Sequence, residues 1–256
     1  MVSEVKGASM KFKSYDETVP KLLGILKLQR ELKKHDKIVL KPFLTSSAEN
    51  STPRDFVESV LKFVLEHKNP VAEVFIAEGA DGEDTPELFG VLGYDKLAEK
   101  YDISLVDLNK TETQTVQNPA FLKFDEVYYP KILLESFVIS LPKLGFSEET
   151  VVNASLSNML GAFPAEHYKG FFSKAKNKIR KWPIKYSVHD IIKCKLPDFS
   201  AVDGSEQSAI LAGLPLEIDK QSAKLLGKEW KEIPYLKLID ESLAEKKEKK
   251  EEIDYL

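Results

Sequence analysis

The chain is poor in several residues that carry site chemistry: it has one cysteine (Cys194), four histidines, and only Arg30, Arg54 and Arg180 as arginines. A single cysteine excludes a disulfide framework, a thiolate zinc site and an iron–sulfur cluster within one chain. Cys194 lies between Lys193 and Lys195, which could lower its thiol pKa; the simpler reading is a structural cysteine near a helix end. Few arginines leave little scope for a forked phosphate clamp. There is no P-loop, no Gly-x-Gly-x-x-Gly after a strand, no Gly-x-Ser-x-Gly elbow and no His-Glu-x-x-His. These absences argue against nucleotide hydrolysis, dinucleotide redox chemistry, serine-hydrolase chemistry and zinc proteolysis of the usual kinds. No apolar run approaches the roughly 18–20 residues that span a bilayer, and the first thirteen residues do not read as a signal peptide. The expectation is a cytoplasmic protein without a membrane partner.

The composition is that of a globular protein: hydrophobic residues make up 43% and charged residues 30% of a chain long enough for a large core. A net charge of −4 opposes coating nucleic acid with the whole surface. The dominance of lysine and glutamate resembles hyperthermophile composition, and genome base composition accounts for it equally well. Short β-rich runs alternate with amphipathic segments, which predicts an α/β fold with a mostly parallel or mixed open sheet flanked by helices. The clearest strands are 37–41, 73–77, 104–108 and 136–141, with a later pair at 199–203 and 208–212 and a weak edge strand at 124–129. Helices are expected over 53–67, 19–33, 94–100, 187–193 and 219–226. In the first of these Thr52 is placed to cap and Pro53 to occupy the first turn. Residues 1–240 read as a single α/β domain, with a smaller lobe from about 151, and 241–256 as a charged tail.

The apolar run from Phe137 to Leu141 stops at Pro142 and Lys143, and a loop leads to Asn153–Pro164, rich in small polar residues. Open α/β sheets place ligands at such strand ends. Lys41, Lys143, Asn158, Asp203 and Asp219 follow or end predicted strands, or begin helices, and are expected to meet around a cleft. Two ammonium groups, an amide and two carboxylates suit a small anionic ligand, with Asp203 and Asp219 able to hold a divalent metal or act as acid–base groups. The bland alternative has Asp203 in a turn, Asp219 capping a helix and the lysines solvated.

Several of these stretches resemble one family in order. Lys41-Pro-Phe-Leu44 is similar to a Lys-Pro-Asn-Leu signature, Leu141-Pro-Lys143 to a Leu-Pro-Lys motif, and Leu156-Ser-Asn158 with Gly161 and Pro164 to a Leu-Lys-Asn…Gly…Pro motif. Asp198–Gly204 and Leu214–Asp219 resemble later Asp-Gly and Asp-Pro-Val-Ala-Val-Asp blocks. The resemblance is to domain of unknown function 362, and it implies an archaeal or bacterial α/β protein. Some members carry a ferredoxin-like cluster domain, which has no counterpart in these residues. Departures stand at Phe43, at Gly145-Phe146-Ser147 in place of Lys-Thr-His, and at Ser157 in place of lysine. They leave open an altered site or a non-catalytic scaffold.

Three further stretches have two readings each. Glu78–Asp84 could bind magnesium or calcium, or could be a solvated loop whose Asp84 or Thr85 caps a short helix. His167 could be a general base. Residues 169–185 carry seven basic side chains, no acid and interleaved aromatics. On a helix, Lys174, Lys178 and Lys181 would share a face with Arg180 nearby, which would suit an RNA- or ribonucleoprotein-associated factor; the alternative is an ordinary solvated helix.

Overall fold

The computed structural model describes residues 6–254, with side chains through 244. The first strands are β1 (Gly7–Lys11), β2 (Lys37–Pro42), β3 (Glu73–Glu78) and β4 (Ser104–Asp107). β5 (Thr113–Val116) and β6 (Val127–Pro130) form a small antiparallel ribbon. β7 (Phe137–Leu141) is followed by a hairpin of β8 (Gly145–Ser147) and β9 (Val151–Asn153), and then by β10 (Phe199–Gly204) and β11 (Ala209–Gly213). Seven strands make one sheet in the order β1-β11-β10-β7-β2-β3-β4. The five from β10 to β4 are mutually parallel, and the β11 and β1 edge is antiparallel. The architecture is the mostly parallel, helix-flanked α/β sheet that the sequence predicts.

Strand alternation divides the core between the two faces of the sheet. Ile38, Leu40, Ile139 and Leu141 join the helices Tyr15–Ile25 and Arg54–His67 on one face. Val39, Val138 and Val202 join Ile184–Cys194, Pro215–Leu225 and the helix Pro234–Asp254 on the other. No helix among the described residues is long and apolar enough to cross a membrane.

Four local expectations change. The predicted helix 19–33 is two helices, Tyr15–Ile25 and Leu28–Leu32, because Lys27 takes a left-handed conformation (φ 58°) that redirects the chain while keeping Leu28 and Leu32 buried. The weak strand near 124–129 pairs with β5 and lies outside the main sheet. Asp219 does not begin a helix; it is the fifth residue of Pro215–Leu225, since Pro215 can occupy the first turn. Pro53, not Thr52, is the N-cap of the Arg54–His67 helix. The Thr52 hydroxyl is used elsewhere, donating to the Leu141 carbonyl at 2.7 Å and accepting from the Phe43 amide at 2.9 Å.

The order of connections sets the site. From β2 the chain adds β3 and β4 on one side, then returns to lay β7 and β10 on the other. The carboxyl ends of β2 and β7 therefore flank a topological switch point, where open sheets leave a crevice. Thr52 ties those two ends together. Replacing it by valine should leave buried polar groups without a partner and cost about 1–3 kcal/mol. Urea denaturation measures this, and an unchanged midpoint would refute the tie.

Candidate functional site

A cavity of about 720 Å³ opens above the carboxyl ends of β2, β3 and β7, walled on one side by the β8–β9 hairpin. Its lining includes Glu78, Asn158, Lys143 and Arg180, with Phe43 and Phe146 among the apolar residues. The hairpin also supplies Ser147, Glu149, Thr150 and Asn153. Its residue Val151 holds a φ of 70°, a conformation that β-branched side chains disfavour.

The floor is built around Lys41 and Glu78. Lys41 follows the apolar run Ile38–Leu40 near the end of β2, and it pairs in register with Ser140 of β7. Both acid and amine are buried, their side chains 3% and 0% exposed, and Lys41 Nζ donates to Glu78 Oε2 at 2.6 Å. Asn158 braces the pair: its Oδ1 accepts from Lys41 Nζ at 3.1 Å, while its Nδ2 donates to the Lys41 carbonyl and to Ser140 Oγ, each at 3.0 Å. Burial pushes the Lys41 ammonium below the usual lysine range, and Glu78 acts against that. Lys41 itself does not reach the cavity surface; Glu78 and Asn158 do.

Two glycines let backbones close over this pair. A β-carbon on Gly161 would strike Glu78 Oε1 and come within 2.7 Å of Lys41 Nζ, and one on Gly79 would strike the Gly161 carbonyl. A second buried lysine holds them: Lys176 Nζ donates to the carbonyls of Gly79 at 2.6 Å and Gly161 at 3.1 Å. Burial pushes its pKa down to about 8.

Lys143, just past β7, lies in the wall with its side chain 14% exposed. Its Nζ donates to the Glu49 carbonyl and, at 2.7 Å, to Glu206, whose side chain is 62% exposed. Arg180 is held more firmly, with Nε and Nη2 on Glu149 at 2.5 and 2.8 Å and Nη2 on Asp81 at 2.7 Å.

Of the five residues expected to converge, the structure brings Lys41, Asn158 and Lys143 to the cavity and its floor. Asp203 and Asp219 are not in its lining. Asp203 pairs through its backbone with the Lys143 segment, but its carboxylate accepts from Tyr15 and from the Ser205 amide. Asp219 is wholly buried, accepting from the Ser155 amide at 2.7 Å, the Leu156 amide at 2.9 Å and the Tyr235 hydroxyl at 3.2 Å. It thereby caps the short helix Ser155–Asn158, whose own N-cap, Ala154, has no polar side chain. Burial pushes its pKa up to about 7 against those three donors. The two aspartates thus belong to separate hydrogen-bond sets. Among the described residues no group of three or more His, Cys, Asp or Glu is placed to hold a metal ion.

The other candidates are similarly occupied. Asp84 caps the Thr85–Val91 helix, Glu83 accepts from Thr45 and Ser46, and Asp81 accepts from the Lys176 amide. His167 stacks on Tyr128 with ring centres 4.1 Å apart, away from the cavity lining. Burial raises the Cys194 thiol pKa, so its lysine neighbours do not activate it. Residues 169–183 form turns and a 3-10 helix at Asn177–Arg180, so Lys174, Lys178 and Lys181 do not share an α-helical face. The chain is irregular here because Lys176 turns inward; Lys178 donates to the His167 carbonyl, and Lys174, Lys181, Phe171 and Phe172 are exposed. Nothing in this arrangement favours RNA. Glu78 and Lys176 organise the floor, but the sequence offered Glu78 only as the start of a candidate metal loop and Lys176 only as one of a basic run. A carboxylate closing the strand Glu73–Glu78 was the one available signal; Lys176 was hidden in its basic run.

Removing one partner of a buried ion pair strands the other charge. Glu78→Gln should therefore cost about 3–5 kcal/mol, while Lys41→Met with Glu78→Leu together should recover much of that loss. Denaturation of single and double variants checks this; additive losses would contradict it. Asp219 gives a pH test. Its folded pKa lies above the unfolded value, so its contribution is fully present at low pH and declines as pH rises from about 4 to about 7. The stability difference between wild type and Asp219→Asn should fall across that window by up to about 4 kcal/mol. A flat difference would refute the assignment.

A family model described as domain of unknown function (DUF362) matches residues 38–209, a span that holds the strand-end Lys41, Lys143 and Asn158. Among solved structures, the lactate racemase apoprotein from Thermoanaerobacterium thermosaccharolyticum is similar at a TM-score of 0.57 and 14% identity. That similarity covers 90% of this chain and 58% of the racemase, so this chain spans less than two thirds of the other protein's length, and the likeness is one of fold. No curated protein matches the chain. The family match extends over most of the sequence and includes the residues that build the cavity floor: the chain belongs to the domain of unknown function 362 family.

Proposed function

We propose that the protein binds a small anionic ligand in the cavity at the β2–β7 switch point, with Lys143 as the anchoring cation. The observation that carries this reading is the state of Lys143. Its stem is largely buried in the wall, its ammonium is fixed by a backbone carbonyl, and its counter-ion is an exposed glutamate. An exposed pair of this kind is worth about 0–1 kcal/mol, so a ligand anion can displace Glu206 at little cost. Arg180, held by two carboxylates, frames the wall. Asn158, whose two amide hydrogens are already donated to the Lys41 carbonyl and to Ser140, shapes the floor and keeps only an oxygen lone pair for a donor on the ligand.

The cavity is not a basic funnel. Glu49, Glu78, Asp81, Glu149 and Glu206 line it beside Lys143 and Arg180, with Lys41 and Lys176 beneath. Binding would come from directed contacts and not from a positive field. Carboxylates are the first anions to test, since the structural neighbour is described as a racemase of lactate, itself a small carboxylate.

Thermal unfolding of wild type and Lys143→Gln with millimolar acetate, citrate and phosphate tests the reading. A ligand that prefers the folded state raises the melting temperature. The expected result is a rise with at least one carboxylate that is lost in Lys143→Gln while the unliganded melting temperature stays unchanged. Equal rises in both proteins, or none with any anion, would overturn it.

A further inference from the structure

The cavity is larger than a simple acid requires. At about 720 Å³ it matches roughly two dozen waters at ~30 Å³ each, and it falls in the range of pockets that bury drug-sized ligands. Its polar groups are also unevenly matched by apolar ones. Phe43, Leu144, Leu160 and Leu226 line it, and Phe146 projects from β8 with 66% of its surface exposed. A phenylalanine this exposed at a cavity is apolar area that a ligand can remove from water.

Sequence adds an independent point. Phe43 and Phe146 are two of the departures from the family pattern, standing where the resembling motifs have asparagine and threonine. Both line the same hollow. Two aromatic side chains, 103 residues apart in numbering, thus fold onto one cavity.

We infer that the ligand is an amphipathic carboxylate, with its head on Lys143 and an apolar body of several carbons against Phe43, Phe146, Leu160 and Leu226. This deepens the anion reading above and rests on it. The head takes the place of Glu206 on the Lys143 ammonium. The body covers Phe146, whose ring has the Lys228 ammonium 5.8 Å from its centroid. The buried Lys41–Glu78 pair keeps its own partner throughout.

The experiment is calorimetric titration with straight-chain carboxylates from acetate to octanoate, on wild type, Phe146→Ser and Phe43→Ser. Each buried methylene should tighten binding roughly three- to fourfold until the apolar wall is filled. Phe146→Ser should flatten that dependence and leave acetate binding as it was. If acetate binds and octanoate binds no better, the apolar body is wrong and the anion site survives. If no acid of the series binds, the anion reading falls as well. A chain-length dependence unchanged in both serine variants would place the body elsewhere and overturn the inference. The wild-type series decides whether the ligand has an apolar body even if a variant fails to fold, and either serine variant suffices to place it.

Discussion

Lys41 and Glu78 come from neighbouring parallel strands and end inside protein, so each charge has to be satisfied by the other and by whatever closes around them. That requirement explains much of the local design. Asn158 saturates the ammonium and ties it to β7 through Ser140. Gly161 and Gly79 are small because the chain must pass directly over the pair. Lys176 then bonds the carbonyls those glycines present. Asp219 caps the short helix that carries Asn158, from more than sixty residues away. A chain of polar contacts thus runs from the cavity floor to the Pro215–Leu225 helix, with every member held by a neighbour.

Much of the architecture was legible because it depends on local rules. β2 and β7 are near-continuous apolar runs, as strands buried on both faces must be, and the Arg54–His67 helix announces itself by its apolar spacing and by Pro53. Lys41 and Lys143 were also readable as positions at the sheet's rim, because the apolar runs before them give way to lysine there. Longer-range partnerships were not. Thr52 looks like a cap until Leu141 is seen beside it. Asp219 looks like a ligand or a cap for its own helix, and its actual partners, Ser155 and Leu156, lie on another element. Lys176 sits among lysines that point to water, and only tertiary burial distinguishes it. Periodicity reports which face a residue occupies; it does not report which distant backbone amide will meet a given carboxylate.

The charge pattern of the cavity divides residues that were expected to form one ligand cluster. Buried charges hold the floor in shape, and they are matched tightly enough that a ligand need not disturb them. Lys143 lies at the boundary, its stem largely buried and its partner Glu206 exposed. Under the proposed reading, recognition would sit in the wall with Phe43 and Phe146, above the ion pair. Phe43, Gly145, Phe146, Ser147 and Ser157, where the chain departs from the resembling motifs, all line the cavity.

Val151 carries a further implication. A β-branched residue at φ 70° occupies a backbone basin that it would abandon if its surroundings relaxed. It belongs to a hairpin whose Glu149 grips Arg180 and whose Phe146 overlooks the cavity. The hairpin is therefore held in a conformation that Val151 itself disfavours, with the Glu149–Arg180 clasp beside it. The rim of the hollow thus carries a backbone cost that the parallel strands beneath it do not, concentrated at a single branched side chain.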